Sequence, residues 1–158
     1  MKISKIIATG LGTGYAKTAP GTAGALLGTL ILFFLNKSLS MFGLSQKEIF
    51  LFDLFAILFV SIAGTKAIEK VHKIWPHDDN RIVIDEIAGV WIALLLVPTE
   101  WKYYLTGFLL FRFFDIVKPL GIKKFDKMKN NWSVMLDDIL AGFYAFIGMQ
   151  ILLYFNLI

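Results

Sequence analysis

The stretch VMLDDILAGFYAFIGMQILLYFNLI, residues 134–158, decides the architecture. From Ile139 to Ile158 it carries no charged residue, and a helix needs about 20 such residues to cross the hydrocarbon core of a bilayer. Yet Asp137 and Asp138 stand side by side at its threshold. An apolar helix that opens on two carboxylates requires a reason, and the remainder of the chain supplies one.

The 158 residues are 57% hydrophobic and 18% charged, with a mean hydropathy of +0.68. That is more apolar and less charged than an ordinary soluble domain, and the length is that of one domain, residues 1–158. With 15 phenylalanines there is too little polar surface to cover a globule in water. The composition predicts a membrane protein; the alternative is a helical protein whose oily surface is hidden in an oligomer. The absence of cysteine excludes disulfides and thiolate metal sites, and two histidines make a poor zinc site. The N-terminal ISKIIATGLG has no small-residue cleavage site after an apolar core, so a cleaved signal peptide has weak support. Neither an internal repeat nor a low-complexity tract is evident.

Five apolar segments stand out, at about 21–36, 49–64, 82–97, 103–117 and 139–158. Open sheets cannot lie exposed to lipid with unpaired backbone groups, so all five read as helices. The fold class predicted is all-α: a multihelical membrane protein with about five hydrophobic helices, several of them short. Only the last has comfortable spanning length. If all five cross, one side receives Lys2, Lys5, Lys17, Lys66, Lys70, Lys73, Arg81, Lys118, Lys123, Lys124, Lys127 and Lys129. The other side receives only Lys37, Lys47 and Lys102. Positive charge marks the cytoplasmic side, which puts the N-terminus in the cytoplasm and the C-terminus outside. Trp75 and Trp132 then belong near the inner interface, and Trp101, Tyr103 and Tyr104 near the outer one.

This topology gathers the polar motifs at the cytoplasmic face. Asp85 and Glu86 open the third segment, Asp115 lies near the end of the fourth, and Asp137 and Asp138 open the fifth. Ionised acids near lipid are costly unless partnered. Helix capping accounts for one acid of each pair, but adjacent helical positions point about 100° apart, which leaves the neighbour unexplained. Five converging carboxylates repel one another without a cation between them. Hard oxygen ligands favour Mg²⁺ or Mn²⁺.

Three further groups of residues surround the acids. Arg112, Asp115 and Lys118 follow one another at i, i+3, i+6; a local ion-pair ladder is one reading. Arg112 lies more than a turn inside the apolar segment, and guanidinium geometry matches phosphate, so phosphate binding is the other. GTGYAKTAPGTAG, residues 12–24, is a Gly-rich entry to a helix whose free N–H groups suit an anion, although such turns are commonplace and the spacing is not that of a Walker loop. HDDNR, residues 77–81, is a solvated loop by default. A part for His77 in proton transfer or in supporting the metal is the sharper option.

At these residues the chain resembles the phosphatidylglycerophosphatase A family: PGTAG after a Gly-rich start, HD followed by IVIDE and GVWIAL, FRFFDIVKP with FDK after it, then DDILAG. The resemblance runs from about residue 10 to 142 and rests on the combination and its order. It implies a Mg²⁺-dependent lipid phosphatase that converts phosphatidylglycerophosphate to phosphatidylglycerol and inorganic phosphate. Such enzymes work in phospholipid biosynthesis at the cytoplasmic face of the bacterial inner membrane. It also implies that Asp85, Glu86, Asp115, Asp137 and Asp138 are the metal and catalytic acids, that Arg112 and Lys118 bind phosphate, and that Thr18, Gly21 and Thr22 belong to the substrate loop. Asp79 departs from the family pattern and is a poor ligand candidate. The expected partners are a phospholipid substrate and the bilayer, with no nucleic acid; the oligomeric state is not set by the sequence.

Two routes are open for such a site: attack by a metal-activated water, which is the favoured one, or attack by an aspartate to form an aspartyl phosphate. From a different class, a small cation or proton transporter would also use intramembrane acids, but it predicts acids spread through the membrane depth. Here they crowd at one side, and Asp53, the one acid near the outer end of a span, is accounted for by an interfacial position. A mere scaffold leaves the carboxylates without a purpose.

Overall fold

A computed structural model describes residues 2–76, 79–119, 122 and 131–158. His77 and Asp78, the FDK element and Lys123, Lys124, Lys127 and Lys129 lie outside the described residues. Among the described residues the chain is all helical, as predicted: α1 Lys2–Ala8, a short 3₁₀ turn Thr13–Tyr15, α2 Pro20–Met41, α3 Gln46–Val71, α4 Ile84–Ala93, α5 Trp101–Val117 and α6 Asn131–Tyr154.

Local chemistry sets the boundaries. Pro20 occupies the first turn of α2, where its missing N–H costs nothing. Ser45 and Glu48 form a reciprocal capping box that starts α3. Lys118 takes a left-handed conformation (φ 47°) that ends α5 just before Pro119. Two of the apolar runs thus lie inside longer helices than their hydropathy suggested: α2 and α3, at 22 and 26 residues, join α6 as helices long and apolar enough to cross a membrane.

The third apolar run holds one of the short helices expected. Instead of one helix over 82–97, α4 has only 10 residues, about 15 Å at 1.5 Å per residue and half of a bilayer core. It stops because the last amides tighten onto Val90, Trp91 and Ile92 and because Leu96 turns left-handed (φ 58°) before Pro98. Irregular backbone at membrane depth survives only inside protein. Accordingly Leu94, Leu95 and Val97 are buried, and Gln150 Nε2 of α6 donates to the Leu95 carbonyl (3.2 Å).

This short helix is the hub. It packs on α2, α3, α5 and α6, most extensively on α6, and Trp91 Nε1 ties it to the Gly28 carbonyl of α2 (2.8 Å). Val83 N–H donates to the Ala8 carbonyl (2.9 Å), fastening α1 beside the start of α4. The helix ends alternate in direction. The start of α2, the end of α3, the start of α4, the end of α5 and the start of α6 meet at one end of the bundle.

At the opposite end Asn36 Nδ2 donates to Asp53 Oδ2 (2.9 Å) and to the Tyr104 hydroxyl (3.0 Å), joining α2, α3 and α5. Asp53 and Tyr104 are 2% and 0% exposed, enclosed in the bundle where Asn36 ties α2 to each of their helices. Trp75 is likewise buried, beneath the Arg81 guanidinium at 4.2 Å. Trp101 and Trp132 are exposed.

Candidate active site

The end of the bundle where five helix termini meet holds every predicted acid. Three of them converge: Asp85 and Glu86 from the first turn of α4 and Asp138 from α6 each offer an oxygen within 4.8 Å of the others. Asp85 and Asp138 are buried and Glu86 half-buried. The other two are engaged by cations. Asp115 pairs with Arg112 one turn earlier on α5, and Asp137 Oδ2 accepts from Lys118 Nζ at 2.7 Å. The left-handed turn at Lys118 brings that amine to α6. Asp115 nevertheless lies close enough for its charge to act on Asp85, Glu86 and Asp138.

Among the described residues, Glu86 Oε2 and Arg112 Nε at this centre are buried without a hydrogen-bond partner, a state that usually costs about 1–3 kcal/mol per group, more for charged ones. Burial pushes the Asp85 carboxyl up. Burial, then the neighbouring Asp85, pushes Glu86 well above the ordinary carboxylate range. A buried oxygen cluster that resists ionisation and holds an unsatisfied acceptor fits a small hard divalent cation, whose charge would remove both penalties.

The Gly-rich entry reaches the same place. Ala19 is left-handed (φ 47°), strain that places α2 with its first turn over the acids. A side chain at Gly21 would collide with Glu86 Oε1 and come within 3.5 Å of Arg112 Nη1. Gly21 is thus where only bare backbone fits. The Gly21 and Thr22 amides precede the first intrahelical donor, since Ala23 N–H is the first to bond back, to the Ala19 carbonyl. Thr22 is half-buried in that turn, whereas Thr18 is exposed just before it. Asp79 is held by Arg81 through Nε (2.7 Å), Nη2 (2.5 Å) and backbone N–H (3.0 Å). That pairing holds the Asp79 carboxyl below its usual range.

Sequence reasoning missed Gly89 and Gly142. They sit where α4 and α6 touch, four residues beyond Asp85 and Asp138, in the matching pentads DEIAG and DILAG. The shared D-x-x-A-G spacing was a readable signal.

A multihelical membrane protein with buried carboxylates, an arginine and a helix N-terminus at one end has the parts to handle a phosphate group beside lipid. The family model described as Phosphatidylglycerophosphatase A matches residues 6–153. Haemophilus influenzae phosphatidylglycerophosphatase A is 38% identical over 154 residues, covering 96% of this chain and 90% of the relative. The Escherichia coli protein of the same name is 32% identical, covering 87% and 76%. A Bacteroides thetaiotaomicron protein bearing a provisional phosphatidylinositol-3-phosphatase name is 43% identical, covering 90% and 88%. No solved structure matches the chain. The chain belongs to the phosphatidylglycerophosphatase A family. It is a phosphoric monoester hydrolase.

Proposed function

We propose that the enzyme is a Mg²⁺-dependent lipid phosphatase that hydrolyses phosphatidylglycerophosphate to phosphatidylglycerol and inorganic phosphate, at the cytoplasmic face of a bacterial inner membrane, in phospholipid biosynthesis. The observation that carries the reading is the convergence of Asp85, Glu86 and Asp138 within 4.8 Å, next to Arg112 with its buried free Nε.

Asp85, Glu86 and Asp138 would hold the cation. When bound it neutralises phosphoryl oxygens and lowers the pKa of a water. The chain does the rest. Arg112, kept in place by Asp115, and Lys118, kept in place by Asp137, receive the dianionic phosphate. The Gly21 and Thr22 amides add neutral donors at the positive end of α2. Held this way the phosphorus meets a water on one side. As the water oxygen bonds to phosphorus and the ester P–O bond breaks, a carboxylate of the cluster takes the water's proton, and the departing alkoxide takes a proton from that acid or from bulk water. Stabilising that charge is the main demand, because unaided phosphate monoester hydrolysis is among the slowest reactions enzymes accelerate. Trapping a covalent aspartyl phosphate would replace this route by nucleophilic attack.

A second substrate has a specific observation in its favour: the 43% identical relative carries an inositol-lipid name. Both substrates present a phosphate monoester on a polyol attached to a diacylglycerol phosphate. Purified enzyme in mixed micelles would be given phosphatidylglycerophosphate, then phosphatidylinositol 3-phosphate, with Mg²⁺ and with EDTA, and inorganic phosphate measured. Release from the first lipid, lost in EDTA, is expected. Release from the inositol lipid alone would reassign the headgroup. No release from either with any divalent metal would end the phosphatase reading.

A further inference from the structure

The two pentads Asp85–Gly89 and Asp138–Gly142 lie on parallel helices, since α4 and α6 both start at the acidic end. In a helix, residue i+4 sits one turn on, over the same face. Each acid therefore shares a face with its glycine, and the two faces meet. A Cβ added to Gly142 would overlap the Gly89 carbonyl oxygen and stand 3.0 Å from its carbon. A Cβ on Gly89 would stand 2.6 Å from the Asp138 carbonyl oxygen and 2.5 Å from the Phe111 ring. Backbone touches backbone one turn inside the acids, with Ala88 and Ala141 fully buried alongside.

We propose that Gly89 and Gly142 are positioning residues that set the separation of Asp85 and Asp138, and through it the size of the cation the site accepts. This rests on the reading that Asp85, Glu86 and Asp138 hold a divalent cation. Mg²⁺ demands short, near-octahedral bonds of about 2.0–2.1 Å, whereas Ca²⁺ tolerates about 2.3–2.6 Å in looser geometry. A methyl group at Gly142 has backbone to push against at its nearest contacts, and backbone can yield only by moving a whole helix. The displacement widens the acidic end and penalises the smaller ion more.

The test is cation binding by calorimetry on the purified full chain, with Mg²⁺ and Ca²⁺ as probes. In Gly142→Ala, Mg²⁺ affinity is expected to fall about tenfold or more, the size seen when outer supports of a metal site are removed. Ca²⁺ affinity should fall less, so that the Ca²⁺-to-Mg²⁺ preference rises. Gly148→Ala, on the same helix with its nearest neighbour, Leu110, 3.5 Å away, should leave both affinities unchanged. If Gly142→Ala does not fold, Gly89→Ala combined with Phe111→Leu relieves the ring but keeps the carbonyl contact, and the same selectivity shift is expected. Wild-type binding together with unshifted selectivity in the folded variant would overturn the positioning role and leave the cation reading intact. A wild-type protein that binds neither ion would overturn both.

Discussion

The adjacent aspartates of α6 do different work in the proposed site. Asp138 joins Asp85 and Glu86, while Asp137 holds Lys118 at 2.7 Å. Asp138→Asn would remove a ligand, and phosphate release is expected to drop by at least about 10²-fold. Asp137→Asn would weaken the hold on Lys118, and a loss of about 10–100-fold is expected, as for groups that orient others. Steady-state phosphate release at saturating Mg²⁺, with circular dichroism to confirm folding, measures both. Near-normal rates in both variants would reduce the pair to helix capping. The Asp137 partner was not readable beforehand, because Lys118 reaches it from 19 residues away through a left-handed turn.

At the scale of elements the unusual part is the break after α4. A ten-residue helix can end inside the bundle because Leu94, Leu95 and Val97 of its irregular continuation are buried and because Gln150 supplies the Leu95 carbonyl with a donor. Gln150→Leu keeps the volume and removes that donor. The expected cost is about 1–2 kcal/mol, at the upper end of single hydrogen bonds inside membrane bundles, or a Tm lower by a few degrees in detergent. An unchanged Tm would show that the carbonyl is satisfied elsewhere. Hydropathy could not have revealed the break. Residues 87–97 are apolar throughout, and an apolar run reads alike whether it is one lipid-facing helix or a half-helix and a turn enclosed by four others.

For the molecule as a whole, a cluster of buried acids makes stability depend on pH and on cations. Asp85 and Glu86 have folded values raised above their ordinary 3.8 and 4.5, so the cation-free fold binds more protons than the unfolded chain. The stability these groups contribute is fully present below those ordinary values and is lost as pH rises through the elevated ones. In EDTA the Tm should therefore fall as pH is raised from about 5 to about 8, and Mg²⁺ at the higher pH should restore it. A Tm that rises with pH in EDTA would contradict the burial of these acids.

Composition alone determined that the chain is helical and belongs in a membrane, since hydropathy and the absence of polar cover are properties of the residues themselves. The acids, Arg112 and the glycine-rich entry were legible as well, because charge is conspicuous in an apolar sequence. That Asp138 faces Asp85 and Glu86, that Lys118 holds Asp137, and that Asp53 is buried with Asn36 and Tyr104 were decided by packing. These pairings join residues 17 to 68 positions apart. They depend on helix length, crossing point and the bare backbone at Gly89 and Gly142, quantities that exist only once the helices have met.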